Sequence, residues 1–505
     1  LARLFPVLRR VPAIAEPALR RFHAIDPQEA RRRAFAALRY LLGQLAARQP
    51  VVVYVDDLQW GDADSAGFLG DLIARSDRPP ILVVLAHRSE DTDGEMVAAV
   101  QRRAATAPEP PDLRVLELPP LAVDDAHDLV RLVSGFDGDV GPWAESLVRD
   151  AGGNTMFLVE LARSAGEAGG AATLDELLRR RIAQLAAPVR ALLTTAAVAG
   201  RPMPLAIAAQ AAGVDDPAAA LATLRAERLV RATGDRIEPF HDRVRAAVTD
   251  ELPHDQLAAI HAALARAYHA LAPDQPEPLV DHLLGAGAND EVAEPATRAA
   301  SAAAQMLAFR RAADLYAIAL EFGELAPAER QATLVAQAAA LVNAGQVTAA
   351  AVAYREAAAL AEGERRFELR RLQLEQLLRA AELREGMTLA NELLAELGRA
   401  LPVGPRGIAW AVIKQRAALR LRGKRWKPRA AAQLDASAVR EVDALWSISS
   451  GLAFANPALG KVVQLWHLRA ALARGERSRI AQALAIEIGY LGVAGSATHK
   501  ACRRA

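Results

Sequence analysis

The strongest pattern near the start of the chain is an apolar run that ends in two aspartates. Residues 51–55 (VVVYV) are apolar and mostly β-branched, and Asp56 and Asp57 follow them directly. Such a run, preceded by Pro50, predicts a strand buried on both faces, as in a parallel sheet. Open α/β sheets bind ligands at the carboxyl ends of their strands, so the aspartates are candidates for ligand chemistry. The simpler alternative is a core strand that ends in a solvated acidic turn.

The neighbouring segments alternate between helical and strand patterns. Gln28–Leu45 has apolar residues at helical spacing, and Asp64 and Ser65 suit the N-cap of a helix Ala66–Ala74. A further apolar run, Ile81–Ala86, predicts a second strand, and Leu113–Leu118 is a candidate for a third.

From Leu174 the pattern becomes helical, with one interruption. The predicted helices are Leu174–Leu185, Val189–Val198, Pro204–Ala212 and Pro217–Glu227. A two-stranded ribbon follows, Leu229–Thr233 and Arg236–Phe240, with a turn at Gly234-Asp235. Helices followed by a small hairpin are the layout of a winged helix. His241 and Asp242 then begin another helix.

The remainder of the chain is predicted to be almost entirely helical and repetitive. The pattern Ala312-x₃-Tyr316-x₂-Ala319 recurs as Ala350-x₃-Tyr354-x₂-Ala357, and more weakly as Ala390-x₃-Leu394. The spacing is somewhat longer than that of tetratricopeptide repeats, whose stacked helix pairs form a solenoid with a concave binding surface. An irregular alanine-rich helical array is the alternative, and both serve as scaffolds for protein contacts.

Composition restricts the class of protein. The chain has 505 residues, 52% of them apolar, and a net charge of +1, so its overall charge does not favour nucleic acid or anionic membranes. A single cysteine, Cys502, excludes an internal disulfide framework and favours a cytoplasmic location. No apolar run is long enough to span a bilayer, and the chain begins with Leu rather than Met. We therefore expect an internal piece of a longer protein, with no membrane partner.

The Asp56-Asp57 segment continues as Leu58-Gln59-Trp60-Gly61-Asp62, and the whole sequence DDLQWGDADS resembles the Walker B segment of bacterial AAA/STAND-type ATPase modules. His87-Arg88-Ser89, which follows the second strand, resembles the strand-end arginine of that family. Residues 152–160 (GGNTMFLVE) resemble its Gly-Asn-Pro-x-Phe-Leu-x-Glu signature, with Thr155 in place of the proline. In the family that proline helps to shape the nucleotide pocket. The segment Leu121–Val133 resembles the start of the family's helical lid, with Asp124 as the N-cap of its first helix.

The resemblance implies roles for particular residues. Asp56 would hold Mg²⁺ through water, Asp57 would orient the attacking water, and Arg88 would sense the γ-phosphate. Gly153, Asn154 and Thr155 would contribute to binding ATP or ADP. His241 would reach the β-phosphate of ADP, although a His-Asp pair at this position can equally cap a helix.

Two features bear on catalysis and on other partners. No Gly-x-x-x-x-Gly-Lys-Ser/Thr loop and no protein-kinase motif occurs in the sequence. We expect the phosphate-binding loop upstream in the longer protein, and the alternative is a degenerate module that never had one. The basic run from Lys414 to Arg429 could contact nucleic acid or an anionic surface, but a solvated face bonded to acidic neighbours is the commoner reading.

The sequence as a whole predicts a multidomain α/β and α protein. Residues 1–120 would form the C-terminal half of a P-loop-type parallel ATPase core, and residues 121–173 a helical lid. Residues 174–272 would form a winged helix, and residues 273–505 a TPR-like α-solenoid. Such a chain would belong to an ATP-dependent signalling switch that regulates a linked Ser/Thr protein kinase. Its repeats would bind other proteins, and the switch could form oligomers in a nucleotide-dependent way. The alternatives are a LuxR-like transcription regulator, for which helix 217–227 offers only Arg225 as a basic residue, and a catalytically dead interaction scaffold.

Overall fold

The computed structural model describes residues 8, 10–11, 26–58, 61, 63–88, 95–134, 141–151, 154–168, 174–423 and 425–492. The chain divides into two compact units, Ala34–Ala299 and Leu1–Arg33 with Ala300–Ala505. This division is coarser than the four predicted domains, whose boundaries remain a prediction. In the described residues, no helix is both long and apolar enough to cross a bilayer.

The first part of the unit Ala34–Ala299 contains a small parallel sheet. Strands β1 (Val52–Val55) and β2 (Leu82–Leu85) pair in parallel, in the register Val52 to Leu82. Helices α1 (Pro27–Ala46), α2 (Ala63–Ala74) and α3 (Glu95–Ala105) accompany them. Residues of α2 and α3 form a buried cluster with Leu58, against which Val55 and Leu85 pack. The parallel pairing arises because a helix connects the two strands and returns the chain to the same end of the sheet.

Two predictions about this sheet are wrong. Strand β1 is not buried on both faces: every second residue of the two strands is exposed, namely Val52, Tyr54, Leu82 and Val84. Strand side chains alternate between faces, and the described helices cover only one of them. Leu113–Leu118 forms no strand, and Leu116 and Leu118 are almost fully exposed. An apolar run becomes a strand only where it finds a neighbour to pair with, and this one has none among the described residues.

Two predicted helix caps also differ from the structure. Helix α2 begins at Ala63, so Asp64 lies in its first turn rather than at its N-cap. Helix α4 (Val123–Ser134) likewise has Asp124 in its first turn. Carboxylates in a first turn still favour helix formation through the helix dipole, which is why the sequence signal is similar. Three helices follow: α5 (Gly141–Ala151), α6 (Thr155–Ala168) and α7 (Leu174–Gln184).

The predicted ribbon is present and has a third strand. Helix α8 (Ala187–Ala199) leads to β3 (Met203–Pro204), α9 (Leu205–Ala212) and α10 (Pro217–Ala226), and then to β4 (Val230–Thr233) and β5 (Arg236–Pro239). The antiparallel sheet has the order β3-β5-β4, with β3 pairing through Met203. Gly234 makes the turn with a φ of +63°, a backbone conformation that glycine adopts without strain. The observed elements agree with the predicted ones within two residues, and the winged-helix identification remains a prediction.

Helices complete this unit and form the whole described C-terminal unit. The unit Ala34–Ala299 ends with α11 (Asp242–Thr249), α12 (His254–Leu271) and α13 (Pro276–Ala286). The remaining helices are α14 (Ala293–Gln305), α15 (Phe309–Phe322), α16 (Pro327–Asn343), α17 (Val347–Ala359), α18 (Gly363–Arg379), α19 (Leu383–Glu396), α20 (Gly404–Arg422), α21 (Ala436–Ala455), α22 (Pro457–Arg474) and α23 (Arg477–Gly492). From α15 to α19 each helix packs against the next, which is the arrangement expected of stacked pairs.

The repeated residues lie on the buried side of these helices. Ala312, Tyr316 and Ala319 are buried in α15, and the equivalent residues Ala350, Tyr354 and Ala357 are buried in α17. Ala390 and Leu394 of α19 are fully buried as well. Small residues allow neighbouring helices to approach closely, and the tyrosine rings fill the remaining space. The repeat in the sequence therefore marks the packing face of the array.

Replacing Tyr316 or Tyr354 with alanine is expected to destabilise the array by about 3–5 kcal/mol, because each change leaves a cavity that its neighbours cannot fill. Denaturant unfolding followed by circular dichroism measures this. Val352→Ala is the matched control, since Val352 lies on α17 with its side chain exposed. A separable array predicts that the N-terminal half keeps its own transition. A single cooperative transition, shifted equally by both tyrosine variants, would contradict that separation.

Candidate functional site

The two parallel strands bring three predicted site residues to one edge of their sheet. Asp56 and Asp57 follow β1 directly, and Arg88 lies three residues after β2. The ladder continues past the strands: the amide of Ala86 donates to the carbonyl of Val55 at 2.9 Å, and the amide of Leu58 donates to the carbonyl of Ala86 at 2.8 Å. These bonds fix the backbone on both sides of the aspartates, so the acidic pair has a defined position at the carboxyl edge.

The backbone at the acidic pair has an uncommon conformation. Asp57 has a φ of +50°, in the left-handed region that aspartate tolerates better than most residues. Its amide donates to Oδ1 of Asp56 at 3.0 Å. A hydrogen bond to the Asp56 carboxylate raises the pKa of Tyr54 above its usual value. Two carboxylates of adjacent residues thus lie at the strand end, and a cation such as Mg²⁺ is a ligand that carboxylates bind.

Arg88 connects this edge to helix α11. Its guanidinium forms an ion pair with the carboxylate of Asp242, the first residue of α11. Both side chains are about half exposed. His241 is the N-cap of the same helix, where its Nδ1 accepts a hydrogen bond from the amide of Arg243 at 3.1 Å. The alternative reading of the His-Asp pair as a helix cap therefore describes the geometry, while the predicted nucleotide contact of His241 remains a prediction.

The start of α6 lies against the same helix terminus. The Phe157 ring packs edge-to-face on the His241 ring, with centroids 5.2 Å apart, and the Arg243 guanidinium lies 5.3 Å from the Phe157 centroid. The Asn154 side chain accepts hydrogen bonds from the amides of Met156 and Phe157 at 3.0 and 3.2 Å, which caps α6. Thr155 is exposed at the first position of that helix. Gly153 lies outside the described residues.

Electrostatic effects show that these groups share one neighbourhood. The pKa of His241 is lowered, chiefly by burial of its ring. The positive charges of Arg88 and Arg243 lower it further. The charges of Asp242 and Asp57 act in the opposite direction. The pKa of Arg231 on β4 is raised, chiefly by its hydrogen bond to Glu238. The negative charges of Asp57 and Asp56 raise this pKa further. The strand-end acids therefore lie within electrostatic range of both the ribbon and α11.

The donor set fits a magnesium ion only as part of a larger site. No group of three or more His, Cys, Asp or Glu side chains able to hold a metal occurs in the part of the chain that the structure describes. Mg²⁺ commonly takes one or two carboxylates, with water and substrate phosphates completing its octahedron, and Asp56 could supply such a ligand. The sequence contains no Gly-x-x-x-x-Gly-Lys-Ser/Thr loop to cradle the phosphates. These residues therefore fit the metal and water side of a nucleotide site, and they lack the phosphate side.

Sequence reasoning missed some members of this neighbourhood. Asp242 was considered only as part of a helix cap, and Arg231 and Arg243 were not singled out. Asp242 is separated from Arg88 by 154 positions, and a lone carboxylate at a helix start carries no signal for a distant partner. The proximity of Arg231 to the acidic pair likewise follows only from the fold.

Comparisons with known proteins give one family match, in the N-terminal part of the chain. Residues 5–84 match the family model of the AAA ATPase domain. Curated proteins give no match. Among solved structures, the chain is similar to a Signal Transduction ATPase with Numerous Domains (STAND) protein with a tetratricopeptide repeat sensor from Pyrococcus horikoshii, at 10% identity and a TM-score of 0.43. That similarity covers 93% of this chain and 63% of the other protein's length, and a TM-score of this size does not by itself establish a common fold.

The family match covers β1 and ends within β2, so it includes Asp56 and Asp57. The Walker B role of these residues remains a prediction. The predicted resemblance of the chain to AAA-type ATPase modules is thus confirmed over residues 5–84.

Proposed function

We propose that this chain is part of an ATP-dependent signalling switch, in which nucleotide bound at the edge of the β1/β2 sheet controls the position of α11. The observation that carries the proposal is the ion pair between Arg88 and Asp242. It links the strand-end residue expected to sense the γ-phosphate to the helix that follows the ribbon. The proposed output is a linked Ser/Thr protein kinase in the longer protein.

The strength of this ion pair suits a switch. Between two half-exposed side chains, such a pair contributes at most about 1 kcal/mol. A γ-phosphate carries more negative charge than a carboxylate and offers several acceptor oxygens for the same guanidinium. ATP would therefore take Arg88 away from Asp242, whereas ADP, which has no γ-phosphate, would leave the pair intact. A weak link is what allows the nucleotide state to decide between the two arrangements.

The acidic pair would carry the chemistry. A bound Mg²⁺ would supply positive charge that offsets the charge of the phosphates. Asp56 would hold the metal's water shell, and Asp57 would accept a hydrogen bond from the attacking water and orient it. The defined backbone at Asp57 supports this role, because its carboxylate begins from a fixed position beside Asp56. Hydrolysis would then return Arg88 to Asp242 and close the cycle.

The C-terminal helices would provide the protein contacts of such a switch. Their stacked arrangement resembles tetratricopeptide-like arrays, which bind other proteins along an extended surface. Release of α11 in the ATP state would allow the chain to form oligomers or to free the linked output domain.

Replacing Asp242 with asparagine tests the proposal in the longer protein that we expect to contain this chain. Loss of the ion pair should speed ADP release by up to about fivefold, the factor that corresponds to about 1 kcal/mol. A fluorescent ADP analogue in a stopped-flow instrument measures the rate. Asp250→Asn is the matched control, because Asp250 is exposed at the other end of α11. Equal release rates in wild type and Asp242→Asn would contradict the proposed link.

A catalytically dead scaffold is the second candidate function. The absence of a phosphate-binding loop from the sequence favours it. The sequence upstream of Leu1 in the parent gene separates the two: a Gly-Lys-Thr loop would support the switch, and its absence would favour the scaffold.

A further inference from the structure

The segment from Pro402 to Ala432 has an unusual amino-acid composition. It contains nine basic residues and no acidic one, and it has no serine, threonine, asparagine, histidine or tyrosine. Its only uncharged polar side chain is Gln415, whose amide oxygen accepts a hydrogen bond from Arg469. The 505 residues together are balanced in charge, with 61 Lys and Arg and 60 Asp and Glu residues. This segment therefore presents donors and apolar groups, and no free side-chain acceptor.

One face of α20 is used by the fold. Ile408, Ala411 and Val412 pack against the core of the C-terminal unit, and Leu419 is buried in it. Arg416 forms an ion pair with the buried Glu487, with an N–O distance of 2.5 Å. These residues recur at the spacing of one helix face, so the opposite face is directed away from the core.

The opposite face is apolar along its centre. Trp410 is 67% exposed, Ile413 60% and Leu421 90%, and Val403, which precedes the helix, is 92% exposed. The positions 410, 413, 417 and 421 follow one side of a helix, because each step is three or four residues. Large apolar side chains exposed in such a row are uncommon on a protein surface and mark a place of contact.

Basic residues border this row. Arg406, Lys414 and Arg420 are exposed on the same side of α20, and none of them has an acidic partner among the residues that the structure describes. Arg416 is different, since Glu487 neutralises it on the core side. The helix thus carries an exposed surface, which we call the α20 face: Trp410, Ile413, Leu421 and Val403, with Arg406, Lys414 and Arg420.

The chemistry of the α20 face defines what it fits. Its partner must accept hydrogen bonds, carry negative charge and offer apolar volume beside that charge. Nucleic acid supplies phosphates, but exposed Ile413, Leu421 and Val403 would gain little against a backbone of phosphates and sugars. The core of a specific protein interface is depleted of charged residues, lysine among them, whereas on the α20 face Lys414 lies directly beside the apolar row. A layer of anionic phospholipid headgroups above hydrocarbon meets all three requirements.

We propose that the α20 face binds the surface of an anionic lipid bilayer, with Trp410, Ile413 and Leu421 at the headgroup boundary and the basic residues on the phosphates. This is attachment to a surface and involves no spanning helix. It revises the expectation, drawn from the overall charge, that the chain has no membrane partner. It does not depend on the nucleotide site, because the residues that carry it all lie between Val403 and Leu421.

Co-sedimentation of the full chain with vesicles tests the proposal. Vesicles of phosphatidylcholine with phosphatidylglycerol are compared with vesicles of phosphatidylcholine alone. We expect binding to the anionic vesicles at least tenfold tighter than to the neutral ones, and weaker binding as salt shortens the screening length. Equal partition onto both kinds of vesicle, or none onto either, would overturn the proposal.

Matched charge variants locate the surface. Removing Arg406, Lys414 and Arg420 together by substitution with glutamine should weaken binding to anionic vesicles on the order of 100-fold, because each basic residue near the surface contributes about fivefold. The control removes three exposed arginines elsewhere in the same unit, Arg365, Arg366 and Arg384, and makes the same change in net charge. An equal loss in the control would show that net charge alone drives binding, and would overturn the assignment to α20.

A second variant tests the apolar row and separates lipid from other anions. Trp410→Ala with Leu421→Ala should weaken vesicle binding by at least tenfold while leaving the circular dichroism spectrum unchanged, since both side chains are exposed. Duplex DNA and poly-glutamate are measured beside the vesicles. If either binds as tightly as the vesicles, or if the double variant binds vesicles like wild type, the α20 face is a general anion surface and the proposal is wrong.

Discussion

Replacing Asp57 with asparagine is expected to lower ATP turnover by at least about 100-fold in the longer protein that we expect to contain this chain, while ATP binding stays unchanged. The carboxylate of Asp57 is proposed to accept a hydrogen bond from the attacking water and orient it, and the neutral amide of asparagine is a much weaker acceptor that can also turn its donor toward the water. Binding should survive because the phosphates are held chiefly by a phosphate-binding loop and by the metal. Phosphate release measures turnover, and a fluorescent ATP analogue measures binding.

Two further variants make this result specific. Asp56→Asn should raise the Mg²⁺ concentration needed for half-maximal turnover, since Asp56 is proposed to hold the metal. Asp112→Asn is the control, because Asp112 is exposed, pairs with Arg114 and lies outside the proposed site. Unchanged turnover in Asp57→Asn would remove Asp57 from the catalytic role. Equal losses in all three variants would indicate a general effect of charge.

The local elements could be predicted because their signals are local. The period of the apolar residues predicted helices such as α1 and strands such as β1 and β2 within a few residues. The ribbon was predicted because Gly234-Asp235 is a strong turn signal between two β-branched segments. The repeated alanine and tyrosine positions predicted the packing face of α15 and α17, since a repeat that is selected for close packing must lie inward.

Burial of the sheet could not be predicted in the same way. The runs at β1 and Leu113–Leu118 are both rich in apolar residues, yet one pairs with β2 and the other is exposed. The difference depends on what else is available to pair with each run and to cover it. An apolar sequence indicates a preference for burial, but it does not indicate whether another element is present to cover it.

The assembly of the candidate site likewise depends on distant contacts. Arg88 and Asp242 meet only after the chain has passed through the helices and the ribbon between them. The basic run around α20 was visible in the sequence, but its division into an inward Arg416 and an outward Lys414 was not. Both cases require the three-dimensional packing that fixes which side of each element faces outward.

A second large effect is expected for the 505-residue chain by itself. We expect it to bind Mg-ATP no more tightly than about 1 mM, which is on the order of 4 kcal/mol, and to show no turnover. The triphosphate is normally held by backbone amides and the lysine of a phosphate-binding loop, and this sequence contains no such loop. Asp56 and Asp57 repel a polyanion until a metal is shared between them. Arg88 is already paired with Asp242 and offers little compensation.

The most direct test of the central claim is calorimetric titration of Mg-ATP into this chain and into the longer protein under the same conditions. The claim is that the β1/β2 edge supplies the metal and water side of a nucleotide site whose phosphate side lies upstream. It predicts a millimolar dissociation constant for the chain and a micromolar one for the longer protein. Asp56→Asn should raise the dissociation constant of the longer protein. A micromolar constant for the chain alone would contradict the claim, because it would require a phosphate site within these 505 residues.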